Sequence, residues 1–205
     1  MRPLRVGLTG NIGSGKSIVA RRLEAHGAAI VDADALARRA TRDPEVLARI
    51  ARELGPELVV EGELDRAATA RLVFADPDAR ARLNAIVHPW VRRASDARVA
   101  ALAASPAPPR VVVLDIPLLY ENGLEVGLDA VIVVDAPLAQ RIERVVRRGE
   151  LSAAEVEARD AAQMPLPAKV ARADYVVDNA GPEDRLDEAV EALWRELTAR
   201  ATRLG

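Results

Sequence analysis

Apolar positions in this chain come in two rhythms, short continuous runs and longer stretches of helical period. Leu4 to Thr9, Gly27 to Asp32, Arg110 to Asp115, Asp129 to Asp135 and Tyr175 to Asp178 predict five strands. The β-branched runs RVVVLD and DAVIVVD lack polar alternation, as befits parallel strands buried on both faces. Helices are predicted over 17–26, 34–40, 137–148, 152–163 and 183–200. Ile18, Val19 and Leu23 fall on one face of the first. Ser152-Ala153-Ala154-Glu155 spells a capping box. Gly27 suits a left-handed helix stop, with His26 beside the negative end of the dipole. Alternating strands and helices predict an α/β fold, a five-stranded parallel sheet with helices on both faces.

The segment 43–105 breaks the alternation. Beyond a doubtful strand at Leu58-Val59-Val60 its pattern is helical, over 44–54, 65–74, 76–87 and 89–104, with a turn expected before Pro89. Ser105-Pro106-Ala107-Pro108-Pro109 then forms a stiff connector. The expected organisation is one domain: a core of about 1–42, 106–148 and 172–205, a helical acceptor-binding subdomain of about 43–105, and a lid of about 149–171.

Composition narrows the class. Half of the 205 residues are hydrophobic and only 2% aromatic, so the core must rest on Ala, Val, Leu and Ile. A net charge of −2 offers no general attraction to nucleic acid or anionic membrane. No apolar run approaches the length of about 18 residues that spans a bilayer. With no cysteine there is no disulfide, thiol catalysis or cysteine zinc site. The first predicted strand begins within a few residues of Met1, so a cytoplasmic protein without a signal peptide is expected. No obligatory protein partner is evident.

Candidate chemistry centres on Gly10-Asn11-Ile12-Gly13-Ser14-Gly15-Lys16-Ser17, which fits G-x-x-x-x-G-K-[ST], the phosphate loop. Chance would place this pattern in roughly one chain in a hundred of this length. Here it also lies between a predicted strand and a predicted helix. That junction aims backbone N–H groups and the positive end of a helix dipole at one spot, which suits a polyphosphate. Lys16 would reach the β- and γ-phosphates, and the Ser17 hydroxyl would ligate Mg²⁺. Among 29 Lys and Arg only Lys16 and Lys169 are lysines, kept where a compact ammonium is wanted instead of a planar fork. Asp32, Asp34 and Asp115 end strands and could face this loop. One of the first two could take a proton from an acceptor hydroxyl, or Asp34 could simply cap its helix. Asp115 could be a second Mg²⁺ element or an ordinary polar strand end. Arg141, Arg144 and Arg148 share one helical face, as phosphate ligands or as solvated surface.

The ordered strings GLTGNIGSGKS (7–17), VDADALAR (31–38), LDR (64–66), LNAIVHP (83–89), PLLYENG (117–123), AAQMP (161–165) and ADYVVDNAG (173–181) resemble the dephospho-coenzyme A kinase family along nearly the whole chain. The resemblance implies a P-loop kinase of the nucleoside monophosphate kinase-like type. It would move the γ-phosphoryl of ATP, with Mg²⁺, to the ribose 3′-hydroxyl of dephospho-CoA. It implies ATP contacts from Asn11, Ile12, Gly13, Ser14, Gly15, Lys16, Ser17, Ile18 and Asn179, and a metal site at Ser17 and Asp115. Asp34 becomes the general base, with Lys16, Arg144 and Arg148 on the phosphoryl group. Acceptor contacts fall to Asp34, Arg66, His88, Pro117, Leu118, Leu119 and Glu121. Read without the family, His88 is a buried residue fixing the turn before Pro89, and Asn179 a turn residue using its left-handed tolerance. Three positions depart from the family pattern: Asn11 for the usual Gly, Ile18 for Thr, and Asp160 for an aliphatic lid residue. The loop alone would also suit another small-molecule kinase or a nucleotide switch, although the chain lacks the N-K-x-D string of a GTPase.

Overall fold

The computed structural model describes residues Arg2–Leu204. They fall into two compact units, one drawn from residues 2–31 and 101–204, the other Asp32–Ala100.

The first unit carries strands β1 (Leu4–Thr9), β2 (Ala29–Asp32, whose last residue opens the other unit), β5 (Val111–Asp115), β6 (Ala130–Asp135) and β7 (Tyr175–Asp178). They form one sheet in the order β2-β5-β1-β6-β7, with β1 parallel to β5 and β6, and β6 parallel to β7. Leu8 lies beside Asp115 and Asp135 beside Asp178, so β1 and β5 end close together, as do β6 and β7, with β6 running two residues past the end of β1. The chain leaves β1 toward one edge and β6 toward the other. Their carboxyl ends therefore form the switch point at which open α/β sheets take ligands.

Strand alternation sends Leu4, Val6, Leu8, Val111, Val113, Ile132 and Val134 into one core layer. Helix α1 (Lys16–Ala25) covers it through Val19, Ala20 and Leu23. Helix α9 (Glu183–Leu204) adds Leu186, Val190, Leu193 and Leu197, spaced by three and four. Ile18 does not belong to that layer. It lies about 100° round the helix from Val19 and is 36% exposed, which corrects the expected apolar face. Gly27 closes α1 with φ 107°, and His26 stacks on Trp194. Helices α6 (Leu138–Arg147) and α7 (Ala153–Ala161) follow β6, and α7 carries the full capping box. Pro137 is the N-cap of α6, not its first turn. A short helix α8 (Leu166–Val170), too brief for a periodic signal, was not expected.

The second unit packs helices α2 (Ala33–Ala40), α3 (Pro44–Glu53), α4 (Arg66–Ala75) and most of α5 (Pro77–Ala103) with a 3₁₀ turn at Pro56–Leu58. The doubtful strand is half of a hairpin, β3 (Val59–Val60) against β4 (Glu63–Leu64). Glu61 and Gly62 both take positive φ, as a two-residue hairpin turn requires. The expected break before Pro89 is absent, and α5 runs through it. Interior proline costs a helix about 3 kcal/mol. Here Ile86 and Val87 before it, and Trp90 and Val91 after it, bury in the same core with Ile50 and Leu58, which offsets the loss. Trp90 Nε1 also donates to Asp43 Oδ2 at 2.8 Å, while Asp43 Oδ1 caps α3. No helix among the described residues is long and apolar enough to cross a membrane.

Candidate active site

The glycine loop hands the chain from β1 to α1 with Gly13 at φ 77° and Gly15 at φ 92°, conformations natural only to glycine. Both also lie against neighbours. A Cβ on Gly13 would come within 2.5 Å of the Arg141 carbonyl oxygen, and one on Gly15 within 2.1 Å of Asn179 Nδ2. Helices α2, α3, α4 and α7 each have a capping side chain, from Asp32, Asp43, Asp65 and Ser152. Helix α1 has none at Gly15, and no acid in its first turn. Its positive dipole end, and the N–H groups before Ile18, are left for an anion, so the loop fits the phosphates of a nucleotide. The Ile18 N–H is engaged, donating to Gly15 O at 2.9 Å.

Lys16 Nζ is ion-paired with Asp115 Oδ1 at the end of β5, both side chains largely buried. The expected lysine and the expected metal carboxylate are thus brought together. Among the described residues no three His, Cys, Asp or Glu gather into a metal cluster. Mg²⁺ at a phosphate site takes one or two protein oxygens and completes its shell with phosphate oxygens and water. Ser17, exposed at the start of α1, and Asp115 suit that demand.

Asn179 is 5% exposed and donates from Nδ2 to Ser14 O at 2.7 Å. It has no positive φ, which corrects the left-handed reading; its side chain holds the loop backbone instead. Arg144 NH2 donates to Asn179 O at 2.6 Å, and its other terminal nitrogen is buried without a partner. The arginine face of α6 therefore divides three ways. Arg141 is 4% exposed and bonded to Asp160, Arg144 is half-buried, and Arg148 lies at the surface beside Glu150.

The loop after β5 is tied inward. Thr9 Oγ1 donates to Pro117 O, Leu119 is fully buried, and Leu118 is exposed. Glu121 Oε1 accepts from Met164 N at 2.9 Å and is ion-paired with Lys169 Nζ at 2.8 Å. Burial alone would raise the Glu121 carboxyl, but the bonds from Lys169 and Met164 hold it below its ordinary value. Lys169 has no exposed surface, a burial that its rarity in the sequence does not predict. Arg172, stacked 4.2 Å from the Tyr120 ring centroid, reinforces the same loop.

The remaining candidates belong to the helical unit. The N-cap of α2 is Asp32, which accepts from Ala35 N at 2.9 Å; Asp34 stands one position inside the helix, exposed. Helix start at Ala33 breaks the strand parity that would aim Asp32 and Asp34 alike. Arg66 is the first residue of α4, exposed, where the positive dipole end disfavours a cation. His88 is half-buried inside α5, not at a turn. Burial first, and the Arg92 charge second, lower its pKa.

Sequence reasoning missed the bonds that hold the loop from α6 to α8. Asn11 Nδ2 donates to Asp160 Oδ1 at 2.8 Å, and Ile12 N to Gln163 Oε1 at 3.0 Å. The one available signal was that Asn11 and Asp160 both departed from the family pattern.

A family model described as dephospho-CoA kinase matches residues 4–184. A Deinococcus radiodurans protein named dephospho-CoA kinase is 50% identical over 195 residues, 95% of this chain and 93% of its own. One of that name from Thermobifida fusca is 47% identical over 199 residues, 96% of this chain and 98% of its own. A Thermus thermophilus crystal structure, 45% identical, aligns over 97% of this chain and all of its own with a TM-score of 0.83. A phosphate loop on the expected sheet and a match of this length carry one conclusion: the chain belongs to the dephospho-CoA kinase family.

Proposed function

We propose that the protein transfers the γ-phosphoryl of ATP to the ribose 3′-hydroxyl of dephospho-CoA, giving coenzyme A and ADP. The observation that carries this is the uncapped junction at Gly15, with Lys16 and Asp115 beside it, in a chain half identical to a dephospho-CoA kinase. In the reaction the 3′-oxygen bonds to the γ-phosphorus as the bond to the β,γ-bridging oxygen breaks, and the hydroxyl proton leaves. Such transfer depends on positioning and charge more than on covalent chemistry. The loop N–H groups hold the β-phosphate, and Lys16 turns its charge from Asp115 to the γ-phosphoryl. Arg144 and Arg148 balance charge on the transferring group. Asp34 orients the hydroxyl and takes its proton. Arg66, His88 and the 117–121 loop hold the acceptor, with Leu118 offering the exposed side chain of that loop. Ser17 and Asp115 would hold Mg²⁺, which would supply positive charge against the phosphate oxygens.

An acceptor panel tests the reading. Purified protein with ATP and Mg²⁺ is offered dephospho-CoA, AMP or shikimate, and products are separated by chromatography. Coenzyme A is the expected product. Phosphorylation of AMP or shikimate without coenzyme A, or ATP hydrolysis indifferent to every acceptor, would overturn it.

A further inference from the structure

The tip of the phosphate loop is gripped from two sides. Ile12 spends both of its backbone groups, its N–H on Gln163 Oε1 at 3.0 Å and its carbonyl on Arg141 NH1 at 3.3 Å. Asn11, 3% exposed, donates from one amide nitrogen to Asp160 Oδ1 and, at 3.2 Å, to Met164 O. Asp160 Oδ1 also takes Arg141 NH1 at 2.5 Å, and Arg141 Nε is spent on Ala136 O. The backbone of α6 abuts Gly13 directly. One carboxylate therefore joins the buried amide of the loop to the buried guanidinium of α6.

Helix α7 gains nothing from this carboxylate. Asp160 is its penultimate residue, and an acid there opposes the negative end of the dipole. The helix is capped at its other end by Ser152 and Glu155. The bond to Asp160 also occupies the Arg141 charge, which separates Arg141 from the phosphate ligands on its face.

We infer that Asp160 is a positioning residue for nucleotide binding: through Asn11 and Arg141 it holds the loop tip in the shape that aims its N–H groups at the phosphates, with Gln163 as a second strut. The carboxyl stays ionised in that role. Burial would raise it, but Arg141 and Asn11 hold it below the ordinary range. The inference rests on the nucleotide half of the proposed function and needs no particular acceptor.

ATP is therefore titrated calorimetrically into wild type and Asp160→Ala without any acceptor, so that a wrong acceptor cannot mimic a wrong strut. Glu155→Ala, on the same helix but away from the loop, reports what destabilising α7 alone does. Asp160→Ala should weaken ATP binding about tenfold, the loss of roughly one good hydrogen bond. Glu155→Ala should lower Tm and leave ATP affinity within twofold. In steady state the Asp160→Ala change should fall on the KM for ATP, with the acceptor KM unmoved. Asn11→Ala combined with Asp160→Ala should cost no more than the larger single effect. If Asp160→Ala does not fold, Asp160→Asn and Gln163→Ala carry the test, each removing part of the grip. Wild-type ATP affinity in the folded variants, or an equal loss in Glu155→Ala, would overturn the inference.

Discussion

The phosphate-loop side and the helical unit carry their candidate residues in opposite ways. Around Gly10 to Ser17, buried or half-buried side chains bond to backbone: Asn179 to Ser14, Arg141 and Gln163 to Ile12. In the helical unit the capping bonds belong to Asp32 and Asp65, and the candidates Asp34 and Arg66 stand exposed beside them. Under the proposed roles, the contrast follows from what each has to do. A backbone N–H cannot be re-aimed by a rotamer change, so a site built from such donors must be rigid before the ligand arrives. A carboxylate that orients one hydroxyl needs only reach and charge, and a helix end supplies both.

The largest expected effect breaks the comparison at Asp34. Asp34→Asn should lower kcat by about 10²–10⁴, the usual range for a general base, while ATP affinity stays near wild type. Stability should move little, because Asp32 supplies the cap of α2 and Asp34 is exposed. Stopped-flow rates and a nucleotide titration on the same preparation check it. A fall in kcat of less than threefold would reduce Asp34 to a partner of the helix dipole.

On the other side the loop should be intolerant of a single methyl. Gly15→Ala puts a Cβ where Asn179 Nδ2 lies and forces φ 92° on a residue that avoids it. The strain costs about 1–3 kcal/mol. Asn179 must move as well, losing a bond worth about 1 kcal/mol. Thermal unfolding should show the loss, and ATP affinity should fall with it. A Gly15→Ala protein with wild-type Tm and ATP affinity would mean that the loop is far more compliant than its bonds suggest.

How much of this was legible depends on the range of the interaction. Local signals were read well: the five strands, the capping box at Ser152, the helix stop at Gly27. The loop motif is local too, eight residues whose spacing is their geometry. The failures were tertiary. Pro89 predicts a break on local grounds, and burial of Ile86, Val87, Trp90 and Val91 overrides it. Asp34 reads as a cap on local grounds, yet the helix starts one residue earlier, at Ala33, and Asp32 caps it. The bonds from Asn11 to Asp160, and from Glu121 to Lys169, join residues far apart in the chain, and no periodicity encodes them. Only oddity pointed there, a rare lysine and two residues out of pattern.

The smallest effect asks whether any candidate of the helical unit is held as firmly as the loop. His88 is the one to ask, because burial and Arg92 lower its pKa. Above the ordinary histidine value of about 6.5 it is neutral in folded and unfolded chains alike. As pH falls through that value the unfolded chain takes the proton first, so the unfolded state binds more protons and stability declines. Asp160, Glu121 and Asp129 are held below their ordinary values, so their contribution is lost only nearer pH 4 and beneath. A slope between pH 7.5 and 5.5 that the His88→Gln protein lacks is therefore due to His88. In thermal melts without substrates, the Tm advantage of wild type over His88→Gln should shrink steadily across it. A gap that stays constant would show an imidazole free to charge in the folded state.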